Sequence, residues 1–537
     1  MNSKIYSSTI LGVKGLRVQV ETKTGNGLPT IKIVGRTDKT IQESKERVVA
    51  AIKSLDLNLR PRKTRINLAP TEIPKVGSGT DLAIALGIIL AQKPEVSAYE
   101  LTKTNIFAFG ELGLDGKVCQ ARGIIQFIET LMDFSKTSKF RKNTNLVFIP
   151  DNHLAKQAIT NLTKIPDLYK IYFISSIQEA VEILKAKSKY HKIDQVPMGF
   201  WKRTPAHEVS IDEICGQHNA KRALLIATAG RHHLMLAGPI GIGKTLLARS
   251  ILSIYPKPEK HEVFEILKVK SSFNSDLNPE IPFEEISKTA TKSILLGNQA
   301  SMTIGKVTQA HCGIILADEL AEFKSSIINI FRKPLEENSI HLQFRGVPVE
   351  LPCRFQLLAT TNLCPCGRSG LELLDSTADN ECTCTAYEKI RYTKKIPAAI
   401  LNRIDLVVFL TNQVSEFEYQ QGTENSQSHE LFLEQYQKKA AAARQIQRKR
   451  FHKAAEYQYN SEISYQDIPK FCKMDKKAGI MLETAMQRLN LNGRDYVKTN
   501  RIARTIADLD KREIILVKDI AEALSYRATS WRTEASF

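Results

Sequence analysis

"HHLMLAGPIGIGKTLLARSIL", residues 232–252, sets the architecture of the chain. A short apolar strand, His233 to Ala237, runs into Gly238, Pro239, Ile240, Gly241, Ile242, Gly243, Lys244 and Thr245, and a helical pattern follows. This is G-x-x-x-x-G-K-[ST] with a strand before it and a helix after it, the context in which the pattern signifies a phosphate loop. Gly238, Gly241 and Gly243 let backbone N–H groups wrap phosphates, and the start of the following helix adds partial positive charge. Lys244 is placed to reach the β- and γ-phosphates, and the Thr245 hydroxyl to ligate Mg²⁺. The expectation is an α/β domain that binds ATP with Mg²⁺.

Such a site needs a carboxylate for the metal and a base for water. "GIILADELAEF", residues 313–323, supplies both after an apolar strand. Asp318 would hold Mg²⁺, and Glu319 would orient and polarise the attacking water. Alone, an acidic pair is an ordinary solvated strand end; behind a phosphate loop it is the expected second half of an ATPase site. A third apolar run, "RFQLLATTN" (354–362), ends on Asn362. An Asn there can position the lytic water, although Asn also caps ordinary turns.

Asn362 opens a further window, "NLCPCGRSGLELLDSTADNECTCT" (362–385), which holds four of the chain's nine cysteines. Cys364 with Cys366 and Cys382 with Cys384 form two C-x-C pairs. Zinc, free thiols and a disulfide are all open. Four cysteines in two pairs suit a tetrahedral zinc site, with tighter pairs than the usual C-x₂₋₄-C.

Composition bounds the rest. At 537 residues two to four domains are expected. Apolar residues make up 42% and charged residues 25%, enough for sizeable cores. No apolar run approaches the ~18 residues of a membrane span. The stretch "MNSKIYSSTILGVKGLRVQV" has no long apolar core, so a cytoplasmic protein is expected, where disulfides are rare. Lys and Arg number 76 against 57 Asp and Glu, a formal charge of +19, which favours a polyanionic partner, nucleic acid first.

Along the chain, residues 1–185 read as mixed α/β. "TIKIVG", "NIFAFG" and "NLVFIP" are strand-like, and "IQESKERVVAAIKSL" and "DLAIALGIILAQ" have helical period. Residues 186–206 are basic and Pro-containing and read as a linker. A second α/β pattern covers 207–412. Residues 413–537 comprise a polar connection and a helical tail, with six basic residues between Lys438 and Arg450 spread around one helix.

In this order, the phosphate loop, "GIILADEL", "NLCPCG", "CTCT" and "AILNRIDLVVFL" resemble the magnesium-chelatase-like AAA+ ATPases. The nearer likeness is to the ComM/YifB branch, bacterial proteins associated with natural transformation. "NGLPTIKIVGRTDKTIQESKERVVAAI", "INLAPTEIPKVGSGTDLAIALGIIL" and "FAFGELGLDGKV" are similar to that branch's Lon-like N-terminal domain, of ribosomal S5 type; "NGRDYVKTNRIARTIADL" is similar to its helical lid. The resemblance implies a multidomain α/β protein: Lon-like domain 1–185, linker 186–206, AAA+ P-loop domain 207–412 and C-terminal lid within 413–537. It further implies a homo-hexameric ring acting as a helicase on single-stranded or branched DNA. Branch migration in recombination during transformation, recombination proteins as partners and no membrane association belong to the same picture. Arg403 in "LNRID" matches the arginine finger, which acts on the neighbouring subunit's γ-phosphate, and Arg494 in "NGRDY" the second sensor.

Some residues depart from the pattern. Where the family commonly has a His pair, "IPFEEISKTAT" carries Glu284 and Glu285, and Asn402 replaces an acid. Ser78 falls near the serine of the Lon Ser–Lys dyad, but the lysine's place holds Ile125 followed by Gln126. A serine without its base is a weak nucleophile, so no peptidase is expected. Ring translocases of this kind grip one strand through pore loops, which makes Arg345, beside a hairpin turn, and Lys288, Lys292 and Lys306 candidate DNA contacts. The alternative function on the same fold is an ATP-driven remodeller of a protein partner, as in a chelatase ATPase subunit.

Overall fold

A computed structural model describes the chain apart from residues 1, 36–38, 56, 58, 60, 61, 137–139, 141, 142, 153, 154, 157–167, 187–208, 275–279, 371–381, 411–425, 453–456 and 528–537. The expected linker beyond Ala186, the polar connection at 413–425 and the middle of the cysteine window therefore lie outside the described residues.

The N-terminal strands are β1 (Asn2–Leu11), β2 (Lys14–Gly25), β3 (Ile31–Val34), β4 (Lys63–Ala69), β5 (Thr104–Ala108), a small hairpin of β6 (Glu111–Leu112) and β7 (Val118–Cys119), then β8 (Thr144–Pro150) and β9 (Tyr169–Ile174). Seven of them form one sheet in the order β3-β4-β2-β1-β5-β8-β9. It is mixed: β1, β2 and β4 pair antiparallel, while β1, β5, β8 and β9 run parallel. Successive residues of its central strands serve opposite faces, as a period of two requires. Ile106 and Leu146 join the core under helices Lys39–Lys53 and Asp81–Gln92, while Phe107 and Val147 pack with helix Ile124–Ser135.

The second sheet contains β10 (Leu234–Ala237), β11 (Phe283–Ile286), β14 (Ile314–Ala317), β17 (Gln356–Thr361) and β18 (Leu406–Phe409). Two hairpins, β12 (Gly297–Asn298) with β13 (Thr303–Ile304) and β15 (Ser339–Phe344) with β16 (Val347–Pro352), stand outside it. The order is β11-β14-β17-β10-β18 and every pairing is parallel. Strands β10, β14 and β17 are buried along their whole length, which is why they read as continuous apolar runs. Because β17 lies between β10 and β14, the residues after all three strands emerge at one carboxyl edge. That edge is where open parallel sheets bind ligands.

The C-terminal helices are Ser426–Phe451, Lys476–Arg488, Gly493–Leu509 and Val517–Ser525. The basic helix turns out not to be a solvated rod. Arg444 is 5% exposed, lies over the rings of Tyr255 and Tyr459, and donates to the Thr228 carbonyl at 2.9 Å. Arg450 forks onto Asp508, and Arg448 pairs with Glu259.

The N-terminal unit is docked directly on the second. The Gly12 turn (φ +64) lies so close to the β15–β16 hairpin that a Cβ would stand 2.6 Å from Leu351 and Val349 side-chain atoms. Helix Lys260–Phe273 packs on helix Ile124–Ser135, Gly123 N–H donates to Ser271 O at 2.8 Å, and Lys268 pairs with Glu129 at 2.7 Å.

Candidate functional site

The loop between β10 and helix Lys244–Arg249 takes its shape from glycine. Gly241 and Gly243 stand at φ +80 and +84, where a Cβ is strained. Gly238 faces Leu410 so closely that a Cβ would lie 3.0 Å from that residue's Cβ and carbonyl oxygen. Lys244 is buried, and its Nζ donates to the carbonyls of Gly238 at 3.0 Å and Pro239 at 2.6 Å. Burial lowers its ammonium to about 8, against the pull of the Asp318 and Glu319 carboxylates.

This shift makes nucleotide affinity pH-dependent. Only the charged ammonium attracts phosphate, and in the free protein it is lost as pH rises through about 8. Affinity should be full below that point and fall by up to about tenfold per pH unit above it. Equilibrium binding of a fluorescent ADP between pH of about 7 and 9.5 tests this; constant affinity would refute the role of Lys244.

The metal and base residues converge on that loop. Thr245 Oγ1 donates to Asp318 Oδ1 at 2.9 Å, and Thr360 Oγ1 donates to the same oxygen at 2.6 Å. Glu319 N–H donates in turn to Thr360 Oγ1 at 2.9 Å. The expected Mg²⁺ partners, a hydroxyl and a carboxylate, are thus side by side and suit a hard, oxygen-seeking cation. Glu319 stands at φ +56, a left-handed conformation rarely adopted by a residue of its kind. Its carboxylate meets Lys288 Nζ at 3.5 Å, and both line a cavity of about 550 Å³ with Asp318 and Lys306. Asn362 follows β17 beside the phosphate loop, where Gly238 N–H donates to Thr361 O at 3.2 Å.

Arg403 and Arg494 are brought together elsewhere. Both line a cavity of about 1150 Å³, together with Arg231, Arg354, Lys498 and Arg501. None of Gly238–Thr245, Asp318 or Glu319 lines it. Arg403 pairs with Glu336 and donates to the Ala399 carbonyl. Burial, then the positive charges of Arg494 and Arg332, weaken its hold on its proton. Asn492 caps helix Gly493–Leu509 by accepting from the N–H groups of Arg494 at 2.8 Å and Asp495 at 3.2 Å, which fixes where Arg494 begins.

The four cysteines of the window meet. Their Sγ atoms all lie within 4.8 Å of one another, and Cys364–Cys366, Cys366–Cys382 and Cys382–Cys364 are 3.2, 3.6 and 3.7 Å apart. Zn–S bonds of about 2.3 Å arranged tetrahedrally space sulfurs about 3.8 Å apart. A disulfide requires about 2.05 Å, and all four are free thiols. The donor set fits zinc.

The expected DNA contacts fall in two classes. Arg345 and Gly346, φ +48 and +84, form the turn of the β15–β16 hairpin, and Lys292 is exposed at the start of helix Lys292–Leu296. Lys288 instead faces Glu319, and Lys306 donates to Glu285 O at 2.7 Å and meets Glu284 at 3.3 Å. In the N-terminal unit Ser78 donates to Glu111. Ile125 and Gln126 are buried, and Gln126 Nε2 donates to Lys268 O at 2.6 Å, so the place expected for a dyad lysine holds part of the junction with the ATP unit. Sequence reasoning missed Thr360, which ties Asp318 to Glu319; the only signal for it was the polar end of "LLATTN".

Three family models match the chain: magnesium chelatase subunit ChlI over residues 210–418, subunit ChlI of Mg-chelatase over 20–141, and the ChlI C-terminal region over 433–527. Among similar proteins, competence protein ComM of Haemophilus influenzae is 29% identical over 532 residues, spanning 98% of this chain and 97% of that protein. Protein YifB of Escherichia coli is 28% identical over 531 residues, 98% and 97% of the two chains. A lon protease homolog of Thermoplasma volcanium is 29% identical over 126 residues, 24% of each. Among the described residues no helix is long and apolar enough to cross a membrane.

Proposed function

This chain is a magnesium-chelatase-like protein of the ComM/YifB type, with an α/β AAA+-type fold, and on that premise we propose that it is a ring-forming, DNA-dependent ATPase. The observation that carries the reading is the separation of Arg403 and Arg494 from their own phosphate loop. An arginine pair sharing a cavity that the chain's own phosphate-loop residues do not line is placed to act on another copy's nucleotide. Such a site is complete between subunits, and a closed ring of six supplies it throughout.

Within one subunit Gly238–Thr245 cradle the phosphates, and Lys244 turns from its two carbonyls to the β- and γ-oxygens. Thr245 and Asp318 hold Mg²⁺, which neutralises charge on those oxygens when bound. Glu319 takes the proton of the attacking water, and Asn362 orients that water. Cys364, Cys366, Cys382 and Cys384 hold structural zinc.

The charge of +19 supports nucleic acid as the track, and likeness to a competence protein agrees with DNA; incoming single-stranded or branched DNA is the form we propose. The activity we assign is ATP-driven translocation or unwinding that promotes branch migration in the cytoplasm during transformation, alongside recombination proteins. Arg345 at its hairpin turn, Lys292, Lys288 and Lys306 are the phosphate contacts we assign. Lys288 and Lys306, paired with carboxylates, must release them first.

ATP turnover should rise several-fold with single-stranded or forked DNA, and DNA affinity should fall by orders of magnitude between about 50 and 200 mM salt. Turnover indifferent to both DNAs, without binding to either, would sink the DNA reading and favour a protein remodeller.

A further inference from the structure

The cysteine cluster and the phosphate loop are one hydrogen-bonded unit. Ile240 sits inside the phosphate loop, and its N–H donates to the Gly367 carbonyl at 2.8 Å. Gly367 directly follows Cys366, and its own N–H donates to the Cys364 carbonyl at 3.1 Å. Ser369 N–H donates to Cys364 Sγ at 3.3 Å. Packing reinforces these bonds. A Cβ on Gly367 would lie 3.1 Å from Ile240 Cβ, and one on Gly370 would lie 3.7 Å from Pro239 Cδ. Both glycines have positive φ, +77 and +95, so the backbone resists a side chain at each, and at Gly367 Ile240 resists it as well. At the loop's other end Gly238 N–H is held by Thr361 O, just ahead of the cluster.

A phosphate loop binds through the shape of its backbone. Whatever holds Ile240 therefore governs how the remaining N–H groups meet the phosphates, and what holds Ile240 is the turn between Cys364 and Ser369. We infer that zinc at the four cysteines and nucleotide at Gly238–Thr245 bind cooperatively, each ordering the shared Ile240–Gly367 contact for the other. This rests on the ATPase and zinc assignments above. Reciprocity is required: the factor by which zinc raises nucleotide affinity is the factor by which nucleotide raises zinc affinity. Couplings of this kind run from about 5- to 150-fold.

The test uses the full chain, reduced and loaded with Zn²⁺. Zinc affinity is measured by equilibrium competition with a chromogenic chelator indifferent to Mg²⁺, with and without saturating Mg-ADP. Expected are about one zinc per chain and a zinc affinity raised at least about fivefold by Mg-ADP. The gain should shrink in Gly367→Ala, which retains all four cysteines. Equal zinc affinity with and without Mg-ADP, in protein that binds the nucleotide, overturns the coupling and leaves the ATPase reading standing. No nucleotide binding overturns the ATPase reading on which the coupling rests. No zinc uptake by the reduced chain overturns the metal assignment and the coupling with it.

Discussion

Arg403→Ala protein should bind ATP as the parent does and hydrolyse it about 10³- to 10⁵-fold more slowly, the range in which arginine fingers act. The side chain lines a cavity that its own Lys244 does not, held by Glu336 and the Ala399 carbonyl on the wall it shares with Arg494. Assembly would bring a neighbour's γ-phosphate to that wall and exchange Glu336 for a stronger anion. Complementation separates this from a merely structural role. Mixed with Lys244→Ala, which lacks the phosphate grip but keeps its finger, Arg403→Ala should regain a measurable fraction of turnover. Two inactive proteins recover only if the Lys244→Ala copy lends its Arg403 to the nucleotide site of the Arg403→Ala copy. Unchanged turnover in Arg403→Ala alone, or a silent mixture of assembled rings, would refute action between subunits.

The second large effect is expected at Glu319. Glu319→Gln should retain nucleotide affinity and lose about 10²- to 10⁴-fold in turnover, the contribution of a positioned general base. The amide is nearly isosteric, so the left-handed backbone and the Thr360 contact can persist while the proton acceptor is gone. Single-turnover hydrolysis beside equilibrium binding reads the two effects apart. Loss of binding along with turnover would show that Glu319 shapes the pocket instead of handling the proton. Lys288 bears on the same measurement, because its ammonium lies 3.5 Å from the carboxylate that the substitution would neutralise.

Local spacing made the ATP chemistry legible. Gly241, Gly243, Lys244 and Thr245 fall within five consecutive residues, and a phosphate loop acts through backbone shape that such spacing specifies. Strands β10, β14 and β17 were legible because burial on both faces demands uninterrupted apolar runs. The strand order was not, and it is what sets Thr360 between Asp318 and Glu319. Lys288 looked like a free basic residue on an insert, since nothing in its neighbours reveals that the end of β11 lies beside the end of β14. The basic helix was ambiguous in the sequence. Its charges surround the axis, yet Arg444 is enclosed by two tyrosines, because guanidinium stacks on aromatic faces where lysine would not be retained. The meeting of the two C-x-C pairs was anticipated from their number, whereas their attachment to Ile240 depends on a contact between distant parts of the chain.

Gln126 carries a consequence for ancestry. If the N-terminal unit descends from a peptidase, the surroundings of the catalytic ammonium have been handed to a joint: Ile125 fills its place, and the adjoining Gln126 grips the Lys268 carbonyl in a buried seam. Writing a lysine back at Ile125, itself fully buried, would leave an ammonium in a dry interior beside that joint, at a cost of several kcal/mol. A single reversal is therefore selected against before any proteolytic benefit can be felt. The joint works as an evolutionary ratchet, and the lost chemistry stays lost while the two units remain fastened together.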